Sequence, residues 1–238
     1  MKKILFAVLC FLQISAFAQD KKVVNDDNVE KREVASFKNI KVSDGIDVLL
    51  SQADEISVAV SAADKKYIAL LKTEVKDGTL HIYYDKKEIF WNDNNKRKLK
   101  VYVSYTQLHT LQAGSGASVS TTNAIKVAQL NMDFSSGASF NGAVNVVELE
   151  ASQNSGAVIE ITGKCTSLKV DVNSGAIFKG FDLVADICDA KATSGGGVRI
   201  TVNKELNAKA NSGGGIKYKG DTVIKNIDIN SGGMVKKA

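Results

Sequence analysis

The sequence predicts a mainly β fold: a right-handed parallel β-solenoid with coils of about 19 residues and an N-terminal β-rich cap that contains one short helix. Three observations predict it. A Ser-Gly-(Ala/Gly) triplet recurs seven times from residue 115 onward, apolar and polar residues alternate around each triplet, and the 238 residues include no proline. A constant period over half the chain indicates stacked coils, because each coil buries against its neighbours a face that it could not bury alone.

The glycines of the seven triplets lie 18 to 21 residues apart, and they are Gly116, Gly137, Gly156, Gly175, Gly195, Gly213 and Gly232. Glycine tolerates a positive φ and a close approach of neighbouring chains, so we predict that these glycines are structural and mark one corner of every coil. An alternative is an ordinary Asn-Gly-type turn in successive hairpins, which would give an antiparallel sheet. The 19-residue period favours the stacked solenoid.

The residues around each glycine fall into columns of one chemical type. Three residues after the glycine stand Val119, Phe140, Ile159, Phe178, Val198, Ile216 and Val235. Four residues after it stand Ser120, Asn141, Glu160, Lys179, Arg199, Lys217 and Lys236. This period-two alternation is typical of a strand with one buried face. Odd offsets from the glycine are therefore expected inside the solenoid and even offsets outside.

Residues 1–18 have the pattern of a signal peptide, with Lys2 and Lys3 before an apolar run and an Ala-x-Ala site before Gln19. Cleavage near Ala18 would leave 31 − 2 = 29 basic and 26 acidic residues, a mature charge of +3. Such a mild charge does not indicate a nucleic-acid partner. The chain has no second apolar run of membrane-spanning length. We therefore expect an extracytoplasmic protein without a transmembrane anchor, in the periplasm, on the outer surface or secreted.

Residues 19–28 are expected to form a flexible leader, residues 29–106 a β-rich cap, and residues 107–238 the solenoid, continuous with the cap. Within the cap, the segment 37–50 repeats the alternation around Gly45 and predicts a degenerate first coil. The segment 63–71 predicts a short helix, and the Asp77-Gly78 pair predicts a tight hairpin. Residues 99–105 alternate again and predict a strand that leads into the repeats.

Four features together resemble the head GIN domain family of auto-transporter adhesins: the signal peptide, the segment F-x-x-I-x-V-x-D-G-I-D-V-L-L at 37–50, K-V-Y-V-S-Y at 100–105, and the N-S-G-A coils. The resemblance covers roughly residues 30 to 235. It implies a β-solenoid fold and an extracytoplasmic location for a protein of a family without an established activity, and its name implies adhesion.

The chain offers little material for catalysis, and we predict no enzyme, no metal site and no cofactor. Only two histidines are present, His81 and His109, without a cluster at zinc-ligand spacing. The carboxylates Asp171, Asp186 and Asp189 are scattered, whereas glycoside hydrolysis needs two in one cleft. Cys165 and Cys188 occupy different columns, so we expect two buried free thiols, with a disulfide as the alternative. A carbohydrate-active enzyme is a less favoured alternative.

Two surface features are candidates for binding. Lys179, Arg199, Lys217 and Lys236 occupy one outer column on successive coils, where they are either simply solvated or face an acidic partner. Phe90 and Trp91 lie in a polar loop, where the aromatic rings could contact a sugar or could instead cover the end of the solenoid. The sequence thus predicts a non-catalytic, adhesin-like protein that binds glycans or cell-envelope proteins. The alternative is a structural module that forms a homo-oligomer end to end.

Overall fold

The computed structural model describes Asp26, residues 28–85 and residues 97–238. The predicted signal peptide, most of the predicted leader, and Phe90 and Trp91 lie outside the described residues. The described part contains one helix, α1 (Lys65–Leu70), and seventeen strands: β1 (Glu30–Arg32), β2 (Asn39–Val42), β3 (Asp47–Gln52), β4 (Ser57–Ser61), β5 (Leu71–Lys76), β6 (Thr79–Tyr84), β7 (Lys100–Tyr105), β8 (Thr110–Ala113), β9 (Ser118–Thr121), β10 (Ile125–Phe134), β11 (Ser139–Gln153), β12 (Val158–Val172), β13 (Ile177–Ala192), β14 (Gly197–Ala210), β15 (Gly215–Lys219), β16 (Val223–Ile229) and β17 (Met234–Lys237).

The strands stack in parallel and in register, which confirms the predicted solenoid of about seven turns. Before the glycine corners the order of paired strands is β5-β6-β2-β8-β10-β11-β12-β13-β14-β16. After the corners it is β1-β4-β7-β3-β9-β11-β12-β13-β14-β15-β17. In both orders, every strand pair from β2 or β3 to the C-terminal end of the stack is parallel. The antiparallel hairpin alternative is therefore wrong for the repeats.

The glycine corners are tight turns in which two consecutive residues have a positive φ. In the seven triplets φ is 48° to 52° at serine and 72° to 75° at glycine. The amide of Ala157 donates to the carbonyl of Asn154 at 3.1 Å, and the other triplets make the same bond. The local geometry is therefore that of a type I′ turn, but the flanking strands pair with neighbouring coils rather than with each other.

A hydrogen bond connects each corner to the corner of the next coil. The amide of Gly156 donates to the carbonyl of Ser174, and seven such glycine-to-serine bonds, 2.9–3.2 Å long, run from Gly45 to Ser231. The positive φ of serine is unfavourable for a residue with a Cβ atom, and the sequence analysis did not predict it. The bond that each serine carbonyl accepts from the glycine amide of the preceding corner orients this carbonyl along the stack and offsets part of that cost.

The inner columns form one continuous hydrophobic core, as the alternation predicts. Phe140, Ile159 and Phe178 follow one another in register, and each is at most 1% exposed. Cys165 and Cys188 are buried and free, which confirms that prediction. Cys165 lies opposite Ala185, and Cys188 lies opposite Leu168, so the two thiols occupy different columns. Burial raises the pKa of both thiols, that of Cys165 to about 12, so neither is a reactive thiolate.

The cap contains the predicted coil, helix and hairpin, but its layers are not stacked in chain order. The amide of Gly45 donates to the carbonyl of Ser115, so the coil around Gly45 stacks directly on the first triplet coil. β6 and β7 follow this coil in sequence, yet they pair with its opposite side. The helix begins after Asp64, whose carboxylate accepts the amide of Lys66 at 3.0 Å. The hairpin turns at Asp77 and Gly78, both with a positive φ.

The two ends of the solenoid are built differently. At the N-terminal end the strands reverse direction, because β4 pairs antiparallel with β7, β1 with β4, and β5 with β6. At the C-terminal end the parallel ladder stops with β16 on β14 and β17 on β15. Within the described residues, neither of these last two strands has a partner on its outer edge.

Candidate functional site

One regular feature of the outer surface is a column of nine side chains in register. From the N-terminal to the C-terminal end it contains Tyr102, Leu49, Ser120, Asn141, Glu160, Lys179, Arg199, Lys217 and Lys236. We call its last four members, Lys179, Arg199, Lys217 and Lys236, the cation column. Neighbouring strands of a sheet lie ~4.8 Å apart, so the four positive charges are spread over roughly 14 Å.

The cation column points outward because each of its members directly follows an inner residue. Phe178, Val198 and Ile216 precede its first three members and are at most 1% exposed, whereas the four basic side chains are exposed. Successive side chains of a strand point to opposite faces, so a buried residue here requires that its neighbour faces solvent. The structure thus brings together the four basic residues that the sequence predicted in one column.

Ion pairs between neighbouring coils compensate several charges elsewhere on the outer surface, but most of the cation column lacks them. Four such pairs have N–O distances of 2.7–3.3 Å, and they are Lys169–Glu150, Lys191–Asp171, Lys204–Asp186 and Lys225–Glu205. Within the cation column, Lys179 lies 3.0 Å from Glu160. Arg199, Lys217 and Lys236 have no acidic partner within 4.0 Å in the described part of the chain. Their charge therefore faces solvent uncompensated.

A strip without side chains runs beside the cation column. Gly197 and Gly215 lie opposite each other, two residues before Arg199 and Lys217, and we call them the glycine shelf. A Cβ atom at Gly197 would meet nothing within 4 Å, and one at Gly215 would meet only the Cε of Met234, at 4.0 Å. Main-chain atoms are consequently accessible there, next to the unpaired cations.

A fifth positive charge lies on the other side of the cation column. Lys219 is exposed two residues after Lys217, and its Nζ lies 4.4 Å from the ring centroid of Phe181. This cation–π contact holds the ammonium group over the coils. Thr201, in register with Lys219, donates its hydroxyl to the Phe181 carbonyl at 2.7 Å. Lys219 was not among the binding residues predicted from the sequence, although its even offset from Gly213 was an available signal.

Phe90 and Trp91 lie outside the described residues, so their binding role stays a prediction. Their segment connects β6 to β7, and β7 is separated from β13 by β3, β9, β11 and β12. Five strand spacings of ~4.8 Å place the start of β7 roughly 24 Å from the cation column. The structure therefore does not bring the strand that follows this segment next to the four basic residues.

The N-terminal segment is attached to the uncharged start of the same nine-residue column. Asp26 accepts hydrogen bonds from the Tyr102 hydroxyl at 2.5 Å and from the Lys100 ammonium group at 3.0 Å. These two bonds lower the pKa of the Asp26 carboxyl below its usual value. Burial, followed by the bond to Asp26, raises the pKa of Tyr102 to about 12. Tyr102 thus remains a neutral donor at physiological pH.

The described residues show few of the features that catalysis requires. Among them, no group of three or more His, Cys, Asp or Glu side chains could hold a metal ion. A shallow cavity of about 230 Å³ between β1 and β4 has a single carboxylate, Glu33, in its lining. Glycoside hydrolysis needs two carboxyl groups in one cleft, so this cavity does not match that chemistry. In the same part of the chain, no helix is long and apolar enough to cross a bilayer.

The stacked parallel coils define a β-solenoid protein with a charged outer column. Residues 36–222 match the family described as "Putative auto-transporter adhesin, head GIN domain", and the chain belongs to this family. The match confirms the resemblance that the sequence indicated. No curated protein sequence matches the chain.

Solved structures of similar proteins share the fold at low sequence identity. A protein from Bacteroides fragilis described as an adhesin is 17% identical, with a TM-score of 0.80 over 88% of this chain and 96% of its own. One from Parabacteroides merdae, also described as an adhesin, is 17% identical, with a TM-score of 0.69 over 88% and 95%. One from Parabacteroides distasonis, described as lipid binding, is 20% identical, with a TM-score of 0.65 over 90% and 97%.

Proposed function

We propose that this protein is a non-catalytic, extracytoplasmic, adhesin-like protein whose cation column binds an acidic polysaccharide. One observation carries the proposal. Arg199, Lys217 and Lys236 repeat in register without an acidic partner among the described residues, while four lysines elsewhere on the coils pair with the neighbouring coil. Like charges ~4.8 Å apart repel each other, and an anionic ligand would remove that repulsion.

The geometry supports an extended polymer with repeated negative charge. The cations form a straight line along the stack, so a chain with acidic groups at regular intervals can meet several of them at once. The glycine shelf allows a flat sugar ring to approach the main chain without a steric clash, since no side chain occupies that strip. Several weak contacts to one polymer raise the apparent affinity by effective concentration.

An acidic polysaccharide explains these features better than a nucleic acid does. Proteins that bind single strands combine a basic groove with stacked aromatic rings. Among the described residues beside the cation column, the Phe181 ring is covered by Lys219 and the Tyr218 ring is half-buried. The mild net charge of the mature chain also argues against a nucleic-acid partner. A signal peptide would bring the protein to the cell envelope, where polysaccharides are abundant.

Phe90 and Trp91 are proposed as a second, independent contact for a glycan or for an envelope protein. A Trp91→Ala substitution should then weaken binding without changing its dependence on salt, because an aromatic contact carries no net charge. A Trp91→Ala variant that binds and unfolds like the parent chain would show that this residue has no part in binding.

The test is titration calorimetry with polygalacturonate as the acidic polymer and dextran as the neutral one. The parent chain should bind polygalacturonate, more weakly as ionic strength rises, and should not bind dextran. Lys217→Glu should weaken binding about tenfold or more, since it reverses a charge at the centre of the column. Lys164→Glu is the matched control: it reverses an exposed charge on another face of the coils and should bind like the parent chain.

Three results would contradict the proposal. Equal binding of polygalacturonate by the Lys217→Glu and Lys164→Glu variants would show that net charge alone acts. Equal binding of dextran and polygalacturonate would show that the cations have no role. Binding of phosphatidylglycerol vesicles without binding of polygalacturonate would assign the column to an anionic membrane surface instead.

A further inference from the structure

The C-terminal end of the solenoid exposes residues that every earlier coil buries. Ile224, Ile227 and Ile229 lie in register with Leu206, Ala208 and Ala210 of the preceding coil. The three preceding residues are 0% to 1% exposed, whereas Ile224, Ile227 and Ile229 are 37%, 41% and 46% exposed. We call these three isoleucines the open end.

The open end consists of large apolar side chains, which are typical of a buried surface. Coils β13 and β14 carry alanine at both positions that Ile227 and Ile229 occupy in the last coil. A terminal coil that faces water is expected to be polar, because the ends of repeat proteins otherwise associate. Here the exposed coil has larger apolar side chains than the two coils beneath it. Large apolar side chains at an exposed end favour burial against a partner.

The main chain of β16 also has unpaired polar groups at this end. The amide of Asn230 donates to the carbonyl of Ala210 at 3.0 Å, so it points toward the preceding coil. In a parallel ladder, alternate residues bond to opposite neighbours. The amides and carbonyls of Ile227 and Ile229 therefore point away from the solenoid, with no partner in the described residues. Such an edge can pair with another strand.

A second copy of this chain fits the open end better through its own open end than through its N-terminal end. The edge strand β1 consists of Glu30, Lys31 and Arg32, and the other edge strand, β5, carries Lys72, Glu74 and Lys76. Charged residues on an edge strand protect it from pairing. A head-to-tail contact would bury these charges against isoleucine. Contact between identical ends avoids this and closes as a twofold dimer.

We propose that two copies of the chain dimerise through antiparallel pairing of β16, with the twofold axis at Ile227. In this register Ile227 lies opposite Ile227 of the partner subunit, and the two exchange both main-chain hydrogen bonds. Asn226 lies opposite Asp228 of the partner subunit, where its amide can donate to the carboxylate. A register centred on residue 228 would place two Asp228 carboxylates opposite each other, which is unfavourable.

The interface involves one seven-residue strand from each copy, so a weak, concentration-dependent dimer is expected. It does not depend on the proposed polysaccharide binding, because the cation column lies on β13, β14, β15 and β17. Sedimentation velocity over a range of concentrations tests dimerisation. The parent chain should shift from monomer to twice the monomer mass. Ile227→Lys should remain monomeric, because it places two ammonium groups face to face.

Val147→Lys is the matched control for this experiment. Val147 is 52% exposed on the side of the coils, so this variant adds the same charge away from the open end and should dimerise like the parent chain. A parent chain that remains monomeric at every concentration would overturn the proposal. Dimerisation of Ile227→Lys equal to that of the parent chain would overturn it as well.

Cysteine crosslinking tests the register. In a hydrogen-bonded antiparallel pair the Cα atoms lie about 5.5 Å apart, within the range that a disulfide bridges. Ile227→Cys should therefore form a crosslinked dimer under mild oxidation. Ile229→Cys should not, because this register separates the two copies of residue 229 by four positions, or roughly 13 Å. The unsubstituted chain measures the background from its own cysteines. Crosslinking of Ile229→Cys that equals or exceeds that of Ile227→Cys would overturn the register.

Discussion

The N-terminal and C-terminal ends of this solenoid differ in how the edge of the parallel ladder is covered. A parallel ladder exposes unpaired main-chain groups wherever it stops. At the N-terminal end, β4 and β5 reverse direction against the coils, and charged strands form the outer edges. At the C-terminal end the ladder stops with its inner isoleucines exposed. One end is therefore covered by strands that reverse direction, while in the described residues the other leaves the inner side chains of its last coil exposed.

The nine-residue outer column shows a related difference along its length. Its first four members are Tyr102, Leu49, Ser120 and Asn141, its fifth is Glu160, and its last four are the cation column. Identical backbone geometry thus supports a neutral surface at one end and a basic surface at the other. The repeat determines where side chains point, and the residue types at the outer positions determine what they can bind.

The largest expected effect on the free energy of unfolding concerns one position in two adjacent coils. Leu206 and Ile224 lie in register, but Leu206 is 0% exposed and Ile224 is 37% exposed. Leu206→Ala should lower the free energy of unfolding by about 2–5 kcal/mol, because it leaves a cavity in the core. Ile224→Ala should cost less than about 1 kcal/mol in the monomer. Urea unfolding at low protein concentration measures both values. Equal losses would mean that the last coil is buried within the monomer.

The next effect concerns the corner glycines. Gly175 has φ +72° with nothing within 4 Å of a Cβ atom, so its requirement for glycine is conformational rather than steric. Gly175→Val should lower the free energy of unfolding by more than about 1–2 kcal/mol, since a β-branched residue strongly disfavours positive φ.

Gly197→Ala is the control for the corner. Gly197 also has open space around a Cβ atom, but it is not among the residues with a positive φ. Thermal unfolding should show this variant within about 0.5 kcal/mol of the parent chain. If Gly197→Ala lowered the free energy of unfolding as much as Gly175→Val does, the positive φ at the corner would not be the reason that glycine is required there.

A smaller, pH-dependent effect is expected at the N-terminal end. The bonds from Tyr102 and Lys100 lower the pKa of Asp26 in the folded state, so its carboxylate stabilises the fold at neutral pH. That contribution is present above the ordinary pKa of 3.8 and is lost as the pH falls through the lowered folded-state value. Asp26→Asn should therefore be less stable than the parent chain at pH 7 and equally stable in strong acid. A stability difference that is unchanged across this pH range would contradict the assignment.

The smallest effect is expected at the first member of the cation column. Lys179 is exposed and pairs with Glu160 on the surface, where an ion pair contributes little. Lys179→Ala should leave the free energy of unfolding within about 0.5 kcal/mol of the parent value. A loss as large as that of Leu206→Ala, measured by the same urea titration, would mean that the inner and outer faces are reversed.

Much of the repeat region could be predicted because its geometry is local and periodic. The corner glycines, the inner columns and the four aligned cations all follow from counting offsets along the chain. The exposure of Ile227 and Ile229 could not be predicted by that count, which gives every coil the same inner face. Only the position of the last coil in the stack distinguishes these residues from Ala208 and Ala210.

The cap was harder to predict because its layers are ordered by long-range pairing. The coil around Gly45 was recognised, but the placement of β6 and β7 on its far side depends on the excursion through β4, α1 and β5. The positive φ of the corner serines follows from stacking in the folded state, which a propensity for single residues does not contain. The columns up to the fourth position after each glycine do not include Lys219, because it lies six residues after Gly213.

Residue-resolved amide exchange at two protein concentrations tests most directly whether the two ends differ as described. In dilute solution, the amide of Asn230 should be protected by the Ala210 carbonyl, while the amides of Ile227 and Ile229 exchange rapidly. On concentration, exchange at Ile227 should slow as β16 pairs with a second copy, and exchange in β1 and β5 should stay unchanged. Slow exchange at Ile227 and Ile229 in the dilute monomer would contradict an open C-terminal end, and so would exchange that does not respond to concentration.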